Sequence, residues 1–114
     1  VRSEASVSIY LYTPPTDMRK GFDGLSGIVR REFGADPTEG SLFLFINRRR
    51  DRLKILHWDG SGFWWYYRLL EAGTFEVDHS NGKCVQIDAT QLAMLLGGVS
   101  LRSVKRRKRY RRAS

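Results

Sequence analysis

The stretch LFLFINRRRDRLKILHWDGSGFWWYYRLL, residues 42–70, decides the fold. It holds three apolar or aromatic runs, at 42–47, 53–59 and 63–70, which are joined by RRRDR and by DGSG. Runs of this length predict β-strands, and short joints made of charged residues, glycine, serine or aspartate predict tight turns. Three successive strands with short turns form an antiparallel meander.

The residues before this stretch predict one further strand and a helix. The segment SVSIYLY, residues 6–12, alternates Val, Ile and Leu with Ser and Tyr, as a half-buried strand does, and the prolines of TPPTD end it. Thr16 or Asp17 can then cap a helix whose apolar face extends to Phe33. Gly34 is the expected C-terminal stop of that helix.

The residues after the stretch predict a second helix and one or two short strands. Thr74–Val77 can form a short strand, and CVQID at 84–88 predicts another. Asp88 begins a helix with Gln91 three residues later, which is a capping-box arrangement, and the glycine pair 97–98 ends it. The whole pattern predicts an α+β fold, an antiparallel meander of about four to five strands with two helices packed on it.

Length and charge divide the chain into two parts. The 114 residues are enough for one hydrophobic core that needs no disulfide or metal, so residues 1–101 are predicted to be a single domain. Eight of the 20 Lys and Arg residues lie from Arg102 onward, which leaves 12 basic and 12 acidic residues over 1–101. The formal charge of +8 therefore comes from residues 102–114, which are predicted to be a basic, disordered tail.

The basic residues are the candidates for contact with nucleic acid. A two-stranded ribbon can enter a DNA groove, and arginine pairs phosphate in a bidentate manner. A charged hairpin tip can equally serve only to keep the hairpin solvated, and a cationic tail can be merely a solubilising end. In the domain the candidates are Arg48, Arg49, Arg50, Arg52, Lys54, Arg19 and Lys20, and in the tail they are Lys105, Arg106, Arg107, Lys108 and Arg109.

The aromatic run at 63–67 allows several interpretations. In a strand, Phe63, Trp65 and Tyr67 share one side, and Trp64 and Tyr66 share the other. One of these sets is expected to be core. The other can pack under a helix, contact a protein partner or stack on bases, and we favour packing with a helix or partner contact at Trp64 and Tyr66.

Enzymatic and metal-binding roles find little support in the sequence. His57, His79 and Cys84 are not at ligand spacing such as CxxC or HxxxH, and the acidic residues are scattered over turns and caps. We therefore expect no cofactor and no enzyme activity, with a small metal-dependent nuclease as a remote alternative. No apolar run reaches the roughly 18 residues of a membrane span, so we expect a soluble, cytoplasmic protein with no membrane partner.

Three blocks of the sequence closely resemble a known bacterial family. These blocks are TDMRKGFDGLSGIV, LFLFINRRRDRLKILHWDGSGFWWYYRLLEAGTF and QLAMLLGGV. They resemble the second open reading frame product, also labelled transposase-accessory protein B, of transposable elements in insertion-sequence family sixty-six. The resemblance covers about residues 6–100, and after Val99 the basic tail departs from the usual family pattern. It implies a non-catalytic accessory protein of DNA transposition, because a separate, larger transposase performs strand cleavage and joining.

Two hypotheses follow from the residues and the resemblance together. In the first, the protein contacts DNA through the arginine-rich tip and the tail. In the second, it is a protein-interaction or self-association module that docks on the transposase, or on a second copy, through its outward aromatic residues or its leucine-rich helix. DNA and the element's transposase are accordingly the expected partners.

Overall fold

The computed structural model describes residues 7–97, which form a five-stranded mixed sheet with a helix against each face. The strands are β1 (Ile9–Tyr12), β2 (Leu42–Ile46), β3 (Arg52–Trp58), β4 (Phe63–Leu69) and β5 (Cys84–Ile87). The helices are α1 (Phe22–Ile28), which continues in π-helical geometry over Val29–Phe33, and α2 (Ala89–Leu96). Single 3₁₀ turns lie at Pro37–Glu39 and His79–Asn81. The α+β class and the two helices are confirmed.

The sheet order is β4-β3-β2-β1-β5, which confirms the predicted meander of β2, β3 and β4. The prediction of a wholly antiparallel sheet is wrong, because β1 pairs with β2 in parallel. Parallel neighbours need a crossover connection between them, and α1 supplies that connection from β1 to β2. The chain then returns through β5, which pairs antiparallel with β1 at the far edge.

The core lies on both faces of the sheet, and β2 contributes to both halves. On one face Leu44 and Ile46 pack with Phe75 and with Leu95 of α2. On the other face Phe43 and Phe45 pack with Leu25, Ile28 and Val29 of the α1 segment. This two-sided burial explains why LFLFI reads as a continuous apolar run rather than an alternating one.

The termini of the helices confirm some signals and correct others. Asp88 and Gln91 form the predicted capping box, and α2 ends at Gly97. Gly34 ends the α1 segment with a φ of 63°, in the left-handed region that glycine adopts without a steric penalty. The predicted cap at Thr16 or Asp17 is wrong, because α1 begins only at Phe22 and its N-cap, Gly21, makes no side-chain capping bond.

Residues 70–78 contain no strand, so the short strand suggested at Thr74–Val77 is not formed. Phe75 is nevertheless fully buried, and its N–H donates to the Arg50 carbonyl at 2.6 Å. The Leu70 N–H likewise donates to the Asp51 carbonyl at 2.8 Å. This segment therefore crosses the end of the sheet and ties itself to the β2–β3 turn.

Two further predictions concern membrane spans and the basic tail. No helix within residues 7–97 is long and apolar enough to cross a bilayer. The predicted basic tail, residues 102–114, lies outside the described part of the chain.

Candidate nucleic-acid interface

The β2–β3 turn is built around the side chain of Asn47. Its Oδ1 accepts from the N–H groups of Asp51 and Arg52, both at 3.0 Å, and its Nδ2 donates to the Asp51 carboxylate at 2.7 Å. Arg50 closes the turn with a φ of 62°, the one non-glycine residue in 7–97 with a positive φ. The turn therefore has a defined shape, and the exposed arginines at its tip project from a fixed backbone.

The loop that joins β1 to α1 lies against this turn. The Thr16 N–H donates to the Ile46 carbonyl at 2.8 Å, which joins two segments 30 residues apart in the chain. Within the loop the Asp17 carboxylate accepts from the Arg19 N–H at 2.9 Å, and the Lys20 N–H donates to the Asp17 carbonyl at 3.0 Å. The loop thereby presents Arg19 and Lys20 beside the arginines of the hairpin.

Lys54 of β3 holds this loop in place by hydrogen bonds to its backbone. Its ammonium group donates to the carbonyls of Met18 at 2.7 Å and Lys20 at 3.1 Å. The same group lies 4.7 Å from the ring centroid of Trp65 and 5.5 Å from that of Tyr67, within the range of cation–π attraction. Lys54 is thus engaged inside the protein, and its role in the described structure is to position the loop.

Between the loop and the turn lies an open groove of about 740 Å³. Five cationic side chains line it against two carboxylates, those of Asp17 and Asp51. The cations are Arg19, Lys20, Arg48, Arg49 and Arg52. A domain that is neutral overall therefore concentrates positive charge at one place, where the field is set by local clustering.

The two carboxylates of the groove are each held by a local partner. Asp51 accepts from the Asn47 amide, as described above. Asp17 forms an ion pair with Arg19 at 2.8 Å, and the hydrogen bonds from the Arg19 side chain and N–H lower the pKa of Asp17 from 3.8 to about 2. Because that carboxylate is ionised at neutral pH, Arg19 is the most compensated of the five cations, and Lys20, Arg48, Arg49 and Arg52 carry the excess charge.

The structure sorts the predicted nucleic-acid residues into three groups. Arg48, Arg49, Arg52, Arg19 and Lys20 come together in the groove. Arg50 is exposed at the tip but does not line the groove, and Lys54 is occupied by the loop carbonyls. The five tail residues Lys105, Arg106, Arg107, Lys108 and Arg109 lie outside the described residues.

Sequence reasoning missed the contribution of the loop scaffold to this site. Nothing in the spacing shows that Thr16 reaches β2 or that Lys54 holds the loop, since both contacts span 30 residues or more. A signal for Lys54 was present, because a lysine between Leu53 and Ile55 on a largely buried strand needs partners for its charge.

The aromatic strand β4 differs from its prediction. Neither side of it is core: Trp64 is 63% exposed, Trp65 39%, Tyr66 44% and Tyr67 49%. The reason is position, because β4 is the edge strand and the contact with α1, in which the ring centroids of Phe22 and Phe63 lie 4.4 Å apart, is at its first residue. Trp64 and Tyr66, the predicted partner residues, therefore lie on the surface, on the sheet face that carries α2.

The turn before β4 is organised by Asp59. Its carboxylate accepts from the Ser61 and Gly62 N–H groups, both at 2.9 Å, and from the indole N–H of Trp64 at 2.7 Å. These hydrogen bonds, with that from the Ser61 N–H the largest cause, lower the pKa of Asp59 from 3.8 to about 2. Asp59 thus fixes both the turn and the orientation of the Trp64 ring.

The side chains of His57 and Cys84 lie near backbone carbonyl groups of other segments of the fold. Nδ1 of His57 lies 3.4 Å from the Ser41 carbonyl, and the Cys84 thiol donates to the Glu32 carbonyl at 3.3 Å. Burial raises the pKa of the Cys84 thiol, which disfavours the reactive thiolate. Within residues 7–97 no group of three or more His, Cys, Asp or Glu side chains is placed to hold a metal ion.

Comparison with known protein families identifies one family. Residues 7–106 match the model described as IS66 Orf2 like protein. Two Sinorhizobium fredii relatives, the uncharacterized proteins y4jC and y4hO, are each 33% identical to this chain, over 87% and 88% of its length and 85% and 87% of theirs. No solved structure matches the chain. The protein therefore belongs to the family of IS66 Orf2-like proteins, and this membership implies an accessory role in transposition.

Proposed function

We propose that this accessory protein contacts DNA during transposition by holding the sugar-phosphate backbone in the groove between residues 15–20 and 47–52. The observation that carries the proposal is the convergence of Arg48, Arg49, Arg52 and Lys20 on one open groove in an otherwise neutral domain. Arginine is suited to this role because its planar guanidinium pairs phosphate oxygens through two parallel hydrogen bonds.

The fixed backbone of the turn supports contact with the phosphate backbone. The arginines project from a turn that Asn47 fixes and that the Phe75 and Leu70 N–H groups tie to the rest of the fold. A preorganised cluster loses less conformational entropy on binding than a flexible arm does. Phosphate contacts of this kind position a protein on the duplex without selecting a sequence. The groove is therefore expected to bind unrelated duplexes and element-end duplexes with similar affinity.

The test is DNA binding by the full chain across a salt series, measured by fluorescence anisotropy on an element-end duplex. In the Arg48→Ala/Arg49→Ala variant, affinity should fall and the slope of log K against log salt should become shallower by about two, since each lost phosphate contact removes about one unit. The matched control is Arg30→Ala/Arg31→Ala, which removes the same charge from exposed positions that do not line the groove.

A third variant separates the groove from the tail. Lys105→Gln/Arg106→Gln/Arg107→Gln removes three tail charges and leaves the groove intact. The proposal requires that the groove variant weaken binding more than the Arg30/Arg31 control does. The proposal would be contradicted if the groove variant and the Arg30/Arg31 control lost equal affinity for DNA. It would also be contradicted if the tail changes alone abolished DNA binding.

Contact with the element's transposase is a second proposal for the same process, and the exposure of Trp64 and Tyr66 supports it. Large exposed aromatic residues are enriched at protein interfaces. Co-purification of the two proteins should be lost on Trp64→Ala and retained in the Arg48→Ala/Arg49→Ala variant. Retention in both variants would place the contact elsewhere.

A further inference from the structure

The outer edge of β4 lacks the features that keep edge strands apart. Residues 63–69 form seven consecutive strand positions in unbroken register with β3, without proline, glycine or bulge. Arg68 is the one charged residue among them, and no described strand pairs with the outer side. Soluble proteins normally protect such an edge with charges, prolines, bulges or a covering element, because unpaired backbone groups are a template for another strand.

The backbone groups that face outward can be identified from the ladder. The Leu70 N–H donates inward to Asp51, on the line of β3. Inward and outward directions alternate along an antiparallel strand, so Arg68, Tyr66 and Trp64 also bond towards β3. The four remaining residues, Phe63, Trp65, Tyr67 and Leu69, present their N–H and C=O groups to the outside. The edge thus offers a regular set of four donors and four acceptors.

We propose that a second copy of this chain pairs with this edge, β4 against β4, antiparallel about a two-fold axis at Tyr66. Because inward and outward backbone groups alternate along β4, the two copies can form hydrogen bonds only where an outward-facing residue lies opposite another outward-facing residue. Among the symmetric registers that obey this rule, centring on Tyr66 uses all seven residues. It places Trp65 opposite Tyr67 of the second copy and Phe63 opposite Leu69 of the second copy, and it joins two five-stranded sheets into one of ten strands.

Side-chain chemistry favours the same register. Trp64 comes opposite Arg68 of the second copy on the α2 side of the sheet, where a guanidinium over an indole is attractive. On the α1 side, Trp65 and Tyr67 form two cross-strand aromatic pairs, the kind of neighbour that stabilises sheets. The two Arg68 side chains lie four positions apart along the strands, roughly 14 Å, so that their charges do not oppose each other directly.

The exposed area is sufficient for a specific but modest interface. Trp64, Trp65, Tyr66 and Tyr67 are 39–63% exposed and Leu69 is 51% exposed. With an area of about 150–250 Å² for each aromatic side chain, roughly 400–500 Å² per copy is available, near the lower limit of about 1,000 Å² in total for specific interfaces. We therefore expect a concentration-dependent dimer with a micromolar or weaker dissociation constant.

The first experiment is analytical ultracentrifugation of the full, DNA-free chain over a concentration series, at a salt concentration that screens the tail. Tyr66→Lys places two ammonium groups face to face on the axis and should weaken dimerisation by at least about tenfold. Gln86→Lys adds the same charge to the exposed face of β5 at the opposite edge and should leave dimerisation within about twofold of the parent.

The second experiment tests the register by disulfide formation in a Cys84→Ser background. Tyr66→Cys places the two Cα atoms about 4.5 Å apart, as in a non-hydrogen-bonded pair, which a disulfide can bridge. Trp64→Cys places them roughly 14 Å apart, which it cannot. Rapid crosslinking at position 66 and none at position 64 is expected.

Three results would overturn the proposal. The first is a monomer at every concentration with no crosslink at position 66, which would exclude a second copy and make the transposase the candidate partner of this edge. The second is crosslinking at position 64 as fast as at position 66, which would exclude this register. The third is dissociation by Gln86→Lys but not by Tyr66→Lys, which would move the interface to β5.

Discussion

Strands β2 and β4 flank the same strand, β3, and both are dominated by apolar and aromatic residues, yet their environments are opposite. Phe43 and Phe45 of β2 are fully buried, whereas Trp64 and Tyr66 of β4 are largely exposed. The difference is topological: β2 has a strand on each side and a helix segment over each face, whereas β4 is an edge strand that meets α1 at Phe63, its first residue. Apolar composition predicts that a strand forms, but its place in the sheet decides whether it becomes core or surface.

The largest expected effect is the difference in the free energy of unfolding between a truncation in β2 and one in β4. Phe43→Ala leaves a cavity beneath α1, where Phe43 packs with Leu25 and Leu56, and should lower the free energy of unfolding by about 3–5 kcal/mol. Tyr66→Ala on β4 should lower it by less than about 1 kcal/mol at protein concentrations below those of the proposed dimer, because the side chain is 44% exposed. Urea denaturation of both variants measures the contrast, and equal losses would show that β4 is core after all.

A smaller effect should single out the turn that leads into β4. The pKa of Asp59 is lowered from 3.8 to about 2 in the folded protein, so its carboxylate stabilises the fold fully above about pH 4 and progressively less as the pH falls to about 2. Asp59→Asn should therefore lower the melting temperature at neutral pH, and its difference from the parent should narrow below pH 4. Thermal melts from pH 7 to pH 2 provide the measurement, and a difference that stays constant would contradict the role of the charge.

The smallest effect compares the two turns themselves. The β3–β4 turn has a glycine, Gly60, at a φ of 102°, whereas the β2–β3 turn has Arg50 at 62°. Arg50→Gly removes a steric cost of about 1–2 kcal/mol but makes the unfolded chain more flexible, so the free energy of unfolding should rise by between zero and about 1 kcal/mol. Gly60→Ala is the opposite change and should destabilise. A marked loss of stability in Arg50→Gly would mean that the arginine side chain has an essential contact.

Local patterns predicted most of the elements, because their causes are local. The meander follows from three apolar runs and two short joints, and α2 follows from Asp88 and Gln91 of the capping box. The parallel pairing of β1 with β2 could not be predicted in the same way, since it depends on where the α1 crossover returns the chain. The exposure of β4 was missed for the same reason: burial is a property of the assembled sheet.

The candidate site also combines residues whose clustering is local with residues brought together by a long-range contact. Clustering of Arg48, Arg49 and Arg52 follows from their place at a hairpin tip. Their meeting with Arg19 and Lys20 depends on the hydrogen bond from Thr16 to Ile46, which no spacing in the sequence encodes. Binding of nucleic acid by Lys54 stays a prediction, and the contacts that its ammonium group makes with the loop carbonyls of Met18 and Lys20 were not predicted.

The β3–β4 hairpin also gives this protein an internal optical probe. All three tryptophans of the chain, Trp58, Trp64 and Trp65, lie in that hairpin. Intrinsic tryptophan emission consequently reports on this edge of the sheet, with no label and no fluorophore of the same kind elsewhere in the sequence. Any partner that covers the strand should shift this emission to shorter wavelength, and a ligand in the basic groove is coupled to it through Lys54, whose ammonium group lies 4.7 Å from the Trp65 ring centroid. Binding at this edge of the sheet can therefore be followed in the unmodified chain.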